Sequence, residues 1–184
     1  AEVPDLVGTH LHVPYAYPAL RQALEASAER VLRDYLKDNA ELFDKIEFSE
    51  KQVEINLGDG VSISGRIDLV RRVDTDEITI VDLKSNDRAQ AEDVTEMQLH
   101  TYALGYQELT GRRPDLVEIY ELDECRRKPR AVDDDFMADV QARTREAATA
   151  LRGGCLAPQA EPVKCRKCDY LGMCTAGRAA MPNG

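Results

Sequence analysis

No apolar run in this chain of 184 residues approaches the roughly 20 residues that a helical membrane span needs. The opening residues, Ala1 to Leu6, lack the basic segment and the apolar stretch of a secretory signal, and they read as the cut end of a longer chain. No cysteine precedes Cys125, and four of the five follow Gly154. That is not the dispersed pattern of a secreted disulfide scaffold, and it points to a reducing cytoplasm and a bound metal. Positive charge is also short. A net charge of −10 argues against gripping nucleic acid by bulk attraction, so any such contact must be local or metal-mediated. No internal repeat is visible.

What is present suits one soluble domain. The 43% hydrophobic and 32% charged residues are ordinary for a globular chain long enough to bury its own core. Leu20, Leu24, Val31, Leu32, Tyr35 and Leu36 recur at helical spacing and predict a helix from Pro18 to about Lys37, with proline suited to the first turn. Three strand-like runs follow, near 46–57, 61–70 and 77–83, separated by Gly58-Asp59-Gly60 and Asp74-Thr75-Asp76, a pattern that reads as a meander. A helix over 95–110, a strand over 116–122 and a helix over 134–152 complete an α-β-β-β-α-β-α order before a cysteine-rich tail.

Period-two geometry sets Val61, Ile63, Ile67 and Leu69 on one strand face and Ser62, Ser64, Arg66 and Asp68 on the other. In the next strand Asp82 and Lys84 share a face near the end. Two carboxylates could hold a divalent cation, with the Leu83 carbonyl as a third oxygen and Lys84 offsetting charge or orienting a water. The bland reading is an ion pair on a solvated sheet face. Gln98 and Tyr102 lie four apart, on one helix face. Gln98 could instead cap the helix with Thr95, leaving Tyr102 in the core. Glu50 and Glu54 could reach the Asp68 face. Arg71-Arg72, Arg112-Arg113, Arg126-Arg127-Lys128 and Arg130 sit near expected strand ends or loops and could form a phosphate track.

The series Gly65-Arg66-Ile67-Asp68, then Asp82-Leu83-Lys84, then Gln98-x-x-x-Tyr102 resembles the RecB-like branch of the PD-(D/E)XK nucleases. That branch includes the domains fused to UvrD-like helicases and the nucleases of CRISPR spacer acquisition. The resemblance covers nearly the whole chain. It implies a restriction-endonuclease-like α/β fold, a mixed sheet flanked by helices. It also implies catalytic residues at Asp68, Asp82, Lys84, Gln98 and Tyr102, and Mg2+ or Mn2+ bound by Asp68, Asp82 and Leu83. Gly8-Thr9-His10-Leu11-His12 resembles the family's G-x-x-H element, which would bring His12 to the metal. The family's element lies on a helix, whereas Pro14 here disfavours a helical Val13.

Cys165, Cys168 and Cys174 form C-x2-C-x5-C, a spacing that suits a soft metal, with Cys155 the nearest fourth ligand. In iron-sulfur members of the resembled family the fourth ligand is a cysteine ahead of the histidine element, and none stands there in this sequence. Either an upstream cysteine is lost by truncation, which we favour, or Cys155 substitutes and the site takes zinc or a variant cluster. A 4Fe-4S cluster, incomplete in this stretch of chain, is therefore the expectation, with zinc as the alternative. The expected organisation is a nuclease core over 1–154 and a cysteine-rich tail over 155–184 packed on it. The expected function is metal-dependent hydrolysis of DNA phosphodiesters, in a cytoplasmic helicase-nuclease of repair or recombination with a fused or associated helicase motor, away from membranes. The alternatives are a catalytically silent nuclease-like DNA-binding or docking module, and a stand-alone CRISPR-type exonuclease.

Overall fold

In the computed structural model, five strands form one mixed sheet in the order β1 (Ile46–Gly58), β2 (Val61–Arg72), β3 (Ile78–Lys84), β4 (Leu116–Glu121) and β5 (Arg126–Ala131). The structure describes residues 2–58, 60–85, 92–155 and 157–181, the side chains of 92–96 excepted. Neighbouring strands are antiparallel except β3 and β4, which run parallel. A parallel neighbour requires a crossover, and α3 (Glu92–Thr110) stands between the two strands in the chain. The other helices are α1 (Val3–His10), α2 (Pro18–Asp38), α4 (Asp134–Arg152), α5 (Pro162–Arg166) and α6 (Thr175–Ala180), with a 3-10 turn at Ala40–Lys45. Pro18 begins α2 as its spacing predicts. Gly111 follows α3 at φ 74°, the left-handed conformation that ends helices at little cost for glycine. Among the described residues no helix is long and apolar enough to cross a membrane.

The chain divides into two compact units, Ala1–Thr144 and Arg145–Gly184. In the first, both faces of the sheet are covered. Val53, Ile55, Ile67, Val70, Ile78 and Ile80 pack with Leu99, Ala103 and Tyr106 of α3 and with Phe136, Met137 and Val140 of α4. On the opposite face Leu69, Val81 and Tyr120 pack with Tyr35 of α2 and with Ile46. β3 lies between these two layers. That explains its run of Ile78, Ile80 and Val81 beside a fully buried Asp82.

Strict alternation in β2 does not survive. Ile67 and Val70 belong to the α3 side and Leu69 to the α2 side, although alternation groups Ile67 with Leu69. The change falls where β1 leaves regular geometry: Glu50 has φ 52°, between the pairs Ser49–Leu69 and Lys51–Ile67. Asp68 sits at that irregularity. From there its carboxylate reaches the Leu83 N–H and lines a recess with Gln98 of α3.

β5 is a further correction. Arg126-Arg127-Lys128-Pro129-Arg130 carries no apolar alternation, yet it pairs antiparallel with β4 along its whole length. It is an edge strand, and cationic side chains and proline are what edges tolerate.

Candidate active site

The two carboxylates expected to act together come from neighbouring strands. The Asp68 carboxylate accepts a hydrogen bond from the Leu83 N–H at 2.9 Å. The β2–β3 ladder runs from Leu69–Val81 to Arg72–Ile78, so Asp68 extends the β2–β3 connection beyond the last paired backbone. This contact locks the end of β3, and with it Asp82 and Lys84, to β2. Asp68, Asp82, Leu83, Lys84, Ser85, Gln98 and Leu122 line one recess of about 360 Å³.

Asp82 is 1% exposed, and neither of its carboxylate oxygens accepts a hydrogen bond within the described residues. The Lys84 ammonium lies 2.9 Å from Oδ2. It attracts the charge of that one oxygen and leaves Oδ1 without a partner among the described residues, so the carboxylate is only partly compensated. Burial pushes the Asp82 carboxyl above its ordinary range; Lys84 pulls it down and the Asp68 charge pushes it up again. A buried anion with unused lone pairs is costly unless a cation completes it. The donor set therefore fits a hard divalent ion: Asp68, Asp82 and the carbonyl of Leu83. Mg2+ needs no more than one or two carboxylates when substrate phosphate and water supply the rest.

Lys84 is held on its other side. Its ammonium donates to Gln98 Oε1 at 2.9 Å, and Gln98 Nε2 donates to the Tyr102 hydroxyl at 2.6 Å. Burial raises the Tyr102 phenol, so its hydroxyl stays protonated at neutral pH. Gln98 and Tyr102 are thus joined to the site through Lys84. The alternative pairing of Gln98 with Thr95 involves a side chain outside the described residues.

Two glycines allow this arrangement, and neither was singled out from sequence for the purpose. A Cβ on Gly65 would lie 3.1 Å from Tyr102 Cε1, and one on Gly105 would lie 2.7 Å from Val53 Cγ2. A glycine inside a strand marks close approach, which is the signal Gly65 offered. Ser85 and Leu122 line the recess without any sequence signal.

Other candidates stand apart. His12 is exposed in the segment after α1 and does not line the recess. The helical part of the glycine-histidine element stops at His10, before Pro14. Glu50 pairs with Arg66 at 2.8 Å, and Glu54 is exposed on β1. The expected phosphate track is occupied by internal partners. Arg71 pairs with Glu118, Arg72 with Glu47, Arg112 with Asp76, Arg113 with Asp134, Arg126 and Lys128 with Glu121, and Arg127 with Asp38.

In the second unit, Cys165 is buried and Cys174 half-buried, while Cys168 and Cys155 are exposed. The Cys174 sulfur accepts the Gly177 N–H at 3.3 Å, capping α6. Among the described residues no three Cys, His, Asp or Glu side chains gather in one place, so the recess offers two carboxylates and the thiols do not converge. The four-thiolate set expected for a 4Fe-4S cluster or zinc is therefore not assembled as placed.

The family model of the PD-(D/E)XK nuclease superfamily matches residues 2–175. No curated protein matches the sequence significantly. Among solved structures, the crystal structure of SSO0001 is 18% identical, with 87% of this chain and 72% of that chain covered at a TM-score of 0.49. A protein from Eubacterium rectale, assigned as an exonuclease, is 12% identical at a TM-score of 0.52, with 100% of this chain and 76% of that chain covered. That second likeness is one of fold. Helices flanking a mixed sheet make this a restriction-endonuclease-like α/β architecture. With Asp68, Asp82 and Lys84 in one recess and the family model spanning nearly its full length, the chain belongs to the PD-(D/E)XK nuclease superfamily.

Proposed function

We propose that this nuclease domain hydrolyses DNA phosphodiester bonds with Mg2+ or Mn2+, as the nuclease part of a helicase-nuclease in repair or recombination. The observation that carries the proposal is the buried Asp82 carboxylate, left without a well-formed hydrogen bond among the described residues, in one recess with Asp68 and Lys84. Asp68, Asp82 and the Leu83 carbonyl would hold a divalent cation, which would supply positive charge against the negative charge growing on the phosphoryl oxygens and lower the pKa of a water so that hydroxide is available to attack. The protein's own groups do the rest. Asp68 and Asp82 hold the cation-binding edge on two hydrogen-bonded strands, a rigid support. Lys84, fixed between Asp82 and Gln98, presents its ammonium where it can orient the water and stabilise the departing charge. Gln98 and Tyr102 act through Lys84 as positioning residues.

The surviving Asp68, Asp82 and Lys84 favour an enzyme over a silent module, because a platform for docking has no use for a strained buried carboxylate. Incubating the protein with single-stranded and duplex DNA, with Mg2+ or Mn2+ or in chelator, tests the reading. Cleavage that requires the cation is expected. Equal cleavage in chelator, or none with either cation, would refute it.

A further inference from the structure

The basic residues of this acidic protein are unevenly used. Of its 24 basic and 34 acidic residues, positions 145–184 hold six basic (Arg145, Arg152, Lys164, Arg166, Lys167, Arg178) and three acidic (Glu146, Glu161, Asp169). That unit therefore carries +3, and the first 144 residues carry −13. Arg71, Arg72, Arg112, Arg113, Arg126, Arg127 and Lys128 of the first unit are tied to carboxylates, as described above. In the second unit, Arg166 and Lys167 are exposed and, among the described residues, have no carboxylate partner.

The segment that presents them is well held. Cys165 N–H donates to Glu161 O at 2.8 Å, Cys168 N–H to Cys165 O at 3.1 Å, Leu171 N–H to Cys168 O at 3.0 Å and Met173 N–H to Tyr170 O at 2.9 Å. Gly177 is buried against the Cys165 sulfur and Leu171, so a small apolar core lies beneath the turn. Tyr170 is 69% and Met173 76% exposed. Two exposed cations and an exposed aromatic ring within five residues of a hydrogen-bonded stretch, against one carboxylate there, Asp169, match the chemistry of single-stranded nucleic acid, whose phosphates take the charges and whose bases stack on the ring.

We infer that the turn Arg166–Tyr170 is a contact for single-stranded DNA, with Arg166 and Lys167 on backbone phosphates and Tyr170 stacked on a base. The inference rests on the nuclease reading above. It does not depend on the thiols binding a metal.

The test is binding of a labelled oligothymidylate by the full chain across a salt series, without added divalent cation. Replacing both cations, Arg166→Gln with Lys167→Gln, is expected to weaken binding and to reduce the salt slope by about 1.4, at about 0.7 per phosphate on single strands. Tyr170→Ala is expected to weaken binding about tenfold with the slope unchanged, and Tyr170→Trp to restore it. Arg113→Gln, which removes a side chain paired with Asp134, is expected to change nothing. The substituted side chains are exposed, so melting temperatures should match. Wild-type binding by the double variant overturns the inference, as does a loss confined to anionic phosphatidylserine vesicles, which would identify a membrane contact. DNA cleavage by wild type with unchanged binding in the variants sinks this inference alone. The expected binding losses without any cation-dependent cleavage sink the nuclease reading alone.

Discussion

Replacing Asp82 by asparagine should make the cation-free protein more stable while destroying the site. The carboxylate is 1% exposed, and among the described residues neither oxygen accepts a well-formed hydrogen bond. A buried polar group left unpaired costs about 1–3 kcal/mol, and more when charged. Lys84, 2.9 Å away, returns part of that. The amide keeps the shape, sheds the charge and leaves Lys84 its bond to Gln98 and partial access to water, for a net gain of about 1 kcal/mol, or about 2–4 °C in a chain of this size. The pH dependence follows from proton linkage. An acid whose folded pKa lies above its ordinary 3.8 binds protons more tightly when folded. Its destabilising effect is absent below that value, grows as pH rises and is complete above the raised pKa. The advantage of Asp82→Asn should therefore be full at neutral pH and vanish in acid. Adding Mg2+ at about a hundredfold above its Kd should stabilise wild type alone by about 2.7 kcal/mol and invert the order. Thermal melts of both proteins in chelator, across pH, and then with Mg2+ give the answer. A variant that melts below wild type in chelator at neutral pH would show that Lys84 fully satisfies the carboxylate, and the strain reasoning would fail.

Three further substitutions probe the frame around the site. Gly105→Ala gains about 1 kcal/mol of helix propensity but drives its Cβ to 2.7 Å from Val53 Cγ2. Overpacking of about 1–3 kcal/mol should win, giving a lower denaturation midpoint that Val53→Ala relieves. Glu118→Ala strands Arg71, its partner at 2.6 Å with both side chains under a tenth exposed, and should cost about 3–5 kcal/mol in a denaturant melt. Tyr102→Phe removes the acceptor for Gln98 and should slow single-turnover cleavage about tenfold, the worth of roughly one hydrogen bond, with cation affinity unchanged.

Much of the site could be read from residue order because strands present alternate residues to one face. Asp82 and Lys84 needed only β3 to be a strand, and Gln98 and Tyr102 only α3 to be a helix. Asp68 was harder. It reaches the recess at an irregularity centred on Glu50, a non-glycine residue at φ 52°, and nothing in the local composition announces a left-handed glutamate. β5 escaped notice for the converse reason, since its outward-facing charges carry no hydrophobic period while its backbone still completes the ladder with β4. The arginine clusters looked like a phosphate track because a linear sequence does not show that Glu118, Glu121, Asp38 and Asp76 stand opposite them. His12 illustrates the limit of a short motif, whose spacing matches while the helix that should carry it ends two residues early.

The hydrolytic roles assigned to Asp82 and Lys84 separate in one measurement, Mn2+ binding followed by electron paramagnetic resonance alongside single-turnover DNA cleavage. Asp82→Ala should lose both the bound Mn2+ and the cleavage. Lys84→Ala should keep the bound Mn2+ and lose cleavage by about a hundredfold or more, as expected when a group stabilising transition-state charge is removed. Cation-dependent cleavage surviving in both variants would contradict the account.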